Sequence, residues 1–104
     1  MHRLFIVGAV LLIAVHAAAP SAIAGTAQIL EQECHKQLKM GDAACACIGE
    51  RAEDQLNEQQ QALVVALVTK DQATSGAARN TMSVEEMTEA GKFMQQAPTA
   101  CASQ

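Results

Sequence analysis

All four cysteines of this short chain follow a secretory signal pattern. The combination of a signal and four cysteines restricts what the chain can fold into. Met1–Arg3 supplies the positive charge of a signal n-region, and Leu4–Val15 is an uninterrupted apolar run. Ala22–Ala24 has the small-x-small pattern after which signal peptidase cleaves. The pattern predicts export, and exported cysteines mature where thiols oxidise to disulfides.

A membrane anchor is the main alternative interpretation of this N-terminal segment. The apolar run has about a dozen residues, whereas a spanning helix needs roughly 20. Pro20 interrupts the run, and no cysteine stands at the cleavage point to carry a bacterial lipid anchor. We therefore expect residues 1–24 to be a cleaved secretory signal peptide. Residues 25–104 should then form a single helical, disulfide-stabilised domain that is periplasmic or secreted.

Charge narrows the classes of partner that this domain could bind. Cleavage removes only Arg3 among the charged residues, which leaves six basic and eleven acidic residues and a net charge near −5. Such a surface argues against nucleic acid, and against binding to a membrane after signal cleavage, because phosphates and anionic head groups would be repelled. A protein partner or self-association remains, and no cofactor is expected.

The expected core is small, and covalent cross-links should supplement it. Phe93 is the only aromatic residue after Ala24, so the core must consist of Leu, Ile, Val, Met and Ala. A domain of this size is only marginally stable if burial of its core is the sole contribution. Exported domains of this kind commonly add disulfides. In the chain-entropy model, one short and one long disulfide loop would contribute roughly 3 and 4 kcal/mol.

Hydrophobic spacing predicts an antiparallel pair of helices at the start of the domain. Leu30, Cys34 and Leu38 recur every fourth residue on one face. Gly41 suits a left-handed end for this helix, and Asp42 suits the start of the next. The second helix carries its own apolar stripe, formed by Cys45, Ile48, Ala52 and Leu56.

The central segment predicts a further, well-buried helix. Asn57 and Gln60 match a capping box at its start. Leu63–Val68 is apolar throughout, so a buried strand is an alternative, and we favour a helix because turn residues do not flank the run. Asp71–Thr81 is polar and contains Ser75-Gly76, which predicts a flexible loop.

One more helix is predicted near the C-terminus. Ser83 and Glu86 form a second capping box, and Met87, Ala90, Met94 and Ala97 follow on one stripe. Pro98 should end this helix and leave Cys101 on a short tail. The predicted fold is all-α: a small bundle of three to four short helices joined by two disulfides.

Pairing of the cysteines is only weakly determined by the sequence. A helix directs Cys45 and Cys47 to nearly opposite sides, so each should pair with either Cys34 or Cys101. Cys34 and Cys47 are at similar distances from Gly41 along the axes of the two helices. This favours the pairs Cys34–Cys47 and Cys45–Cys101. Against this, Cys34 and Cys45 both lie on apolar stripes, and the other pattern stays open.

No catalytic constellation is visible in the sequence, so we expect a protein that is not an enzyme. The first hypothesis is an exported binding or accessory protein that acts through an apolar groove or helix face. The central helix has more large apolar residues than one buried face requires. The candidate interaction surface is formed by Val64, Val65, Leu67 and Val68.

Two alternative functions follow from other features of the composition. The domain resembles small periplasmic acid-protective chaperones in size and type, without a shared motif, which implies a stress-protective holdase that loosens in acid. The second alternative is copper binding through His35, Met87 and Met94, which are soft donors. The competing interpretation is that no metal binds, since these methionines fall where a core would place them.

Overall fold

The computed structural model describes residues 25–104, which form five α-helices and no strand. The predicted all-α class is confirmed, and the predicted number of three to four helices is wrong. The predicted signal peptide lies outside the described residues. The helices are α1 (Thr26–Gln37), α2 (Asp42–Gln55), α3 (Glu58–Val68), α4 (Gln72–Thr81) and α5 (Val84–Cys101).

Helices α1 and α2 form the predicted antiparallel pair, but their turn differs in detail from the prediction. Lys39, not Gly41, has the left-handed backbone, with φ of 53°. Gly41 is extended and is the N-cap of α2, without a side-chain cap. Asp42 is the first residue of α2, and its Oδ1 lies 3.4 Å from Nε2 of His35.

The two helices approach each other closely at Gly49. A Cβ at this position would lie 2.6 Å from the carbonyl oxygen of Ala27 and 3.0 Å from its Cα. The absence of a side chain therefore lets the backbone of α1 rest directly on α2.

Both predicted capping boxes are confirmed, and they are joined to each other. Asn57 and Gln60 cap α3, while Ser83 and Glu86 cap α5. Nε2 of the buried Gln60 donates to the backbone carbonyl of Glu86 at 3.1 Å. Nδ2 of Asn57 donates to Oε2 of Glu86 at 3.2 Å. The starts of α3 and α5 are thus held together by the groups that cap them.

Residues 71–81 are not the flexible loop that their composition predicts, because Gln72–Thr81 forms α4. Asp71 caps the helix: its carboxylate accepts from the amide of Thr74 at 3.1 Å and from the hydroxyl of Thr74 at 2.6 Å. Ser75 is buried, and the helix packs against α3. Small side chains suit such close packing, and a single glycine costs a helix only about 1 kcal/mol.

The prediction that Pro98 ends the last helix is also wrong, since α5 continues through it to Cys101. Proline removes the hydrogen bond that its N–H would donate to the carbonyl of Met94, one turn earlier. Three features offset this loss: Phe93 and Ala97 are buried, and Cys101 is bonded to α2 through Cys47. Packing and a covalent bond hold the end of the helix beyond the proline.

Two disulfides are confirmed, but the favoured pairing is wrong. Sulfur atoms join Cys34 to Cys45 and Cys47 to Cys101. That prediction takes the distance of each cysteine along its helix from Gly41, as though the turn were helical. Counted from the actual helix ends, Cys34 lies three residues before the end of α1 and Cys45 three after the start of α2. Cys45 therefore faces α1, and Cys47, on the other side of α2, faces α5.

The core lies between α1, α2, α3 and α5, and both disulfides border it. Cys45 and Cys101 are fully buried, and the buried stripes predicted for α2 and α5 both contribute. The core residues are Leu30, Cys34, Cys45, Ile48, Ala52, Leu56, Leu63, Val64, Met82, Ala90, Phe93, Ala97 and Cys101.

Candidate binding groove

An open apolar groove lies between α1, α3 and α5, with α2 beneath it. Its cavity volume is about 170 Å³. Ten of its twelve lining residues carry no charged or amide side chain. The lining residues are Leu30, Glu33, Cys34, Gln37, Leu38, Ile48, Val64, Val68, Phe93, Met94, Ala97 and Pro98.

The groove is apolar because several residues of the core also line it. Buried Ile48 and Val64 belong both to the core and to the groove lining. Phe93, buried on α5, contributes the one aromatic ring. Leu38 follows the end of α1 and is 49% exposed, which is unusual for a large apolar side chain in this domain. The apolar core is therefore continuous with the solvent-accessible groove.

Two polar side chains stand among the apolar lining. Nε2 of Gln37 donates to Oε2 of Glu33 at 2.7 Å, within α1. The same nitrogen donates to the backbone carbonyl of Val68 at 2.7 Å, which ties the end of α1 to the end of α3. The Glu33 side chain is 20% exposed, and its Oε1 lies 3.7 Å from Nζ of Lys36.

The candidate interaction surface is divided by the fold. Val64 is 1% exposed and therefore cannot form an external surface, although it lines the groove. Val68 lines the same groove, Leu67 lines a second cleft between α3 and α4, and Val65 packs against the core. The excess of apolar residues on α3 is thus shared among the core, the groove and the packing of α4.

The residues of the copper alternative are not gathered at one place. His35 lies beside the turn that follows α1, with Nδ1 3.2 Å from the carbonyl oxygen of Met40. Met87 and Met94 are seven residues apart on α5, about 10 Å along the helix axis. Within residues 25–104, no three His, Cys, Asp or Glu side chains are grouped to hold a metal ion.

The second cleft is polar and lies between α3 and α4. Lys70, Asp71 and Arg79 are among its lining residues. Hydrogen bonds from the side chain and backbone of Thr74 hold the pKa of Asp71 below its ordinary value of 3.8. This carboxylate caps α4.

The sequence predicts an apolar groove but does not indicate where it lies. Glu33, Gln37, Leu38 and Pro98 were not candidates, because their place in the groove depends on how three helices meet. One usable signal was present: Pro98 one turn after Met94 marks a helix face on which a backbone carbonyl loses its partner.

In the described part of the chain, no helix is both long enough and apolar enough to cross a bilayer. Comparison of the chain with known protein families, with curated proteins and with solved structures found no match.

Proposed function

We propose that this protein is an exported, non-enzymatic binding protein, and that the groove between α1, α3 and α5 takes an apolar group of its ligand. The observation that carries the proposal is the groove itself. Small folded domains bury such side chains, whereas here Leu38, Val68 and Met94 border a space that remains open. Concave apolar surfaces with few polar groups are the usual form of small-molecule sites.

Cavity volume indicates how large that apolar group can be. An apolar cavity of about 150 Å³ in another protein stays dry and binds benzene. The groove, at about 170 Å³, is similar in size and matches one ring or a short branched alkyl group. It is smaller than the pockets of drug-sized ligands, which have volumes of roughly 300–1,000 Å³.

The location and the absence of catalysis are parts of the same proposal. Two disulfides joining all four cysteines favour a periplasmic or secreted protein, because the cytosol keeps thiols reduced. The groove lining contains a single carboxylate, that of Glu33, and its neighbours are Gln37 and Lys36. Such a set suits orientation of a ligand better than acid–base chemistry, which usually employs two tuned groups.

Filling the groove should strongly weaken binding of a small neutral aromatic molecule. We expect 2-phenylethanol to shift the amide resonances of Val64, Phe93 and Met94 in the oxidised protein. Val68→Phe places a ring in the groove and should weaken this binding at least tenfold. Amide shift titration by two-dimensional NMR measures both effects.

Val84→Phe is the matched control for this test, because Val84 is 74% exposed and lies outside the groove. It adds the same ring elsewhere and should leave binding unchanged. Failure of 2-phenylethanol to shift the groove amides would contradict the proposed site, as would equal weakening by both variants.

A second candidate function, the acid-responsive holdase, is favoured by the hydrogen bonds at Glu86. Bonds from the side chain of Asn57, and then from the side chain and backbone of Ser83, lower the pKa of Glu86 from its ordinary value of 4.5. This carboxylate accepts from Asn57 at the start of α3 and from the hydroxyl of Ser83 at the start of α5. Its protonation would weaken a contact between two helices that border the groove.

Stability should therefore fall on acidification partly through Glu86. A group whose pKa is lowered by folding stabilises the fold fully above its unfolded pKa, and this contribution is lost as pH falls through the lower, folded value. We expect Glu86→Gln to be less stable than wild type at pH 7 and to lose less stability than wild type between pH 5 and pH 2. Urea unfolding followed by circular dichroism measures the difference.

Glu85→Gln is the control, because Glu85 is exposed in the same helical turn. It should follow the wild-type pH profile. A pH profile of Glu86→Gln that parallels wild type would contradict the role of this contact. Unchanged ellipticity and oligomeric state of the wild-type protein from pH 7 to pH 2 would rule out the holdase.

A further inference from the structure

The side chains that line the groove have no hydrogen-bond donor that is free to bind a ligand. Among its lining residues, Gln37 alone carries such a donor, its amide nitrogen. An amide nitrogen has two N–H groups, and here one is donated to Glu33 and the other to the carbonyl of Val68. A ligand with an acceptor or an anionic end would find no partner among the side chains of the lining.

Acceptors, in contrast, are available at several points around the groove. The side-chain oxygen of Gln37 and the carboxylate of Glu33 are acceptors by their chemistry. The backbone carbonyl of Met94 receives no helix hydrogen bond from position 98, because proline has no N–H. Met94 and Pro98 both line the groove, so the segment of α5 that carries this carbonyl borders it.

Helix ends add negative potential in the same place. Gln37 is the last residue of α1, and Val68 is the last residue of α3. The C-terminal end of a helix carries the equivalent of about half a negative charge, which favours cations. Two such ends and the Glu33 carboxylate therefore meet at one apolar groove.

Nearby lysines offset this potential only weakly. Nζ of Lys36 lies 3.7 Å from Glu33, but its side chain is 70% exposed, and exposed pairs of this kind contribute at most about 1 kcal/mol. Lys92 is paired with Glu89 on α5. Lys70 lines the cleft between α3 and α4, and Lys39 is exposed beyond the end of α1.

We propose that the groove selects small organic cations, in which an apolar group the size of one ring carries an ammonium head. The apolar group would occupy the space beside Phe93, and the ammonium would donate to Glu33, to the side-chain oxygen of Gln37 or to the carbonyl of Met94. This inference rests on the proposed function, since it assigns the ligand class of the same groove.

Three molecules of nearly equal shape test the charge preference in the oxidised protein. They are the 2-phenylethylammonium cation, neutral 2-phenylethanol and the 3-phenylpropionate anion, each titrated by two-dimensional NMR. We expect the cation to bind at least threefold more tightly than the alcohol and about tenfold more tightly than the anion. Added salt should reduce the preference, because screening weakens exposed charges.

Variants on α1 identify the group that sets the preference. Glu33→Gln should reduce the ratio of the alcohol dissociation constant to the cation dissociation constant about threefold. Glu31→Gln removes the same charge from α1 outside the groove and should keep the wild-type ratio. Lys36→Gln frees Glu33 from its ion pair and should increase the advantage of the cation.

The outcomes separate this inference from the function on which it rests. Binding of none of the three molecules would overturn the proposed groove itself. Binding of the alcohol as tightly as the cation, or of the anion more tightly, would overturn the charge preference and leave the groove in place. Equal effects of Glu33→Gln and Glu31→Gln would also overturn it, because general acidity would then explain the preference.

Discussion

Replacing Cys47 and Cys101 together by alanine should lower the free energy of unfolding by about 4 kcal/mol. The bond joins residues 54 apart in sequence, so its loss frees a long loop of the unfolded chain. It also holds the end of α5 against α2 beyond Pro98. A domain of this size has a total stability of about 4–12 kcal/mol, and this change removes a large part of it. Thermal unfolding should show a Tm lower by roughly 15–30 °C.

The other disulfide provides the comparison. Cys34 and Cys45 are 11 residues apart, and their joint replacement by alanine should lower the free energy of unfolding by about 3 kcal/mol. Cys34, Cys45 and Cys101 are buried and Cys47 is half-buried, so a difference in cavity cost does not account for the larger loss expected at Cys47–Cys101. Equal stability of the two double variants, or the opposite order, would contradict the assignment of the longer loop to Cys47–Cys101.

Gly49→Ala should lower the free energy of unfolding by about 2 kcal/mol, although alanine is the better helix former. Its Cβ would lie 2.6 Å from the carbonyl oxygen of Ala27, which is backbone and cannot rotate away. Helix α1 would have to move away from α2, and forcing extra volume into a packed contact costs about 1–3 kcal/mol. Urea unfolding at neutral pH measures the loss.

Gly91→Ala is the control for this substitution. Gly91 is exposed within α5, and a Cβ there would meet no atom within 4 Å. The same chemical change should therefore stabilise the protein by roughly 0.5–1 kcal/mol through helix propensity alone. If both variants were stabilised, α1 and α2 could not be as close as the structure places them.

Helix starts were the most predictable elements, since their signals are local. Asn57 with Gln60 and Ser83 with Glu86 satisfy the amides of their own helix, and both capping boxes form as expected. Asp71 offers the same kind of signal for α4, with Thr74 as its partner three residues later. The composition of the segment nevertheless predicts a loop, because Ser75 and Gly76 are typical of loops and the segment has no apolar stripe.

Helix ends and disulfide partners were less predictable, because they depend on residues distant in sequence. Pro98 is tolerated within α5 because Cys101 is bonded to Cys47 on α2. The partner of Cys34 depends on where the turn after α1 begins, and Lys39 rather than Gly41 adopts the left-handed backbone there. A shift of a few residues in that turn changes which cysteine of α2 faces α1.

The sequence alone determined that this domain is helical and small, and that its four cysteines could form two bonds. Those properties arise from side-chain spacing, capping and composition, which act within a few residues of each other. Only the tertiary structure decided which cysteines pair, that residues 72–81 form a helix, and that Gln37, Val68 and Met94 meet around one groove. These features depend on packing between helices, where burial and backbone contact override local preference.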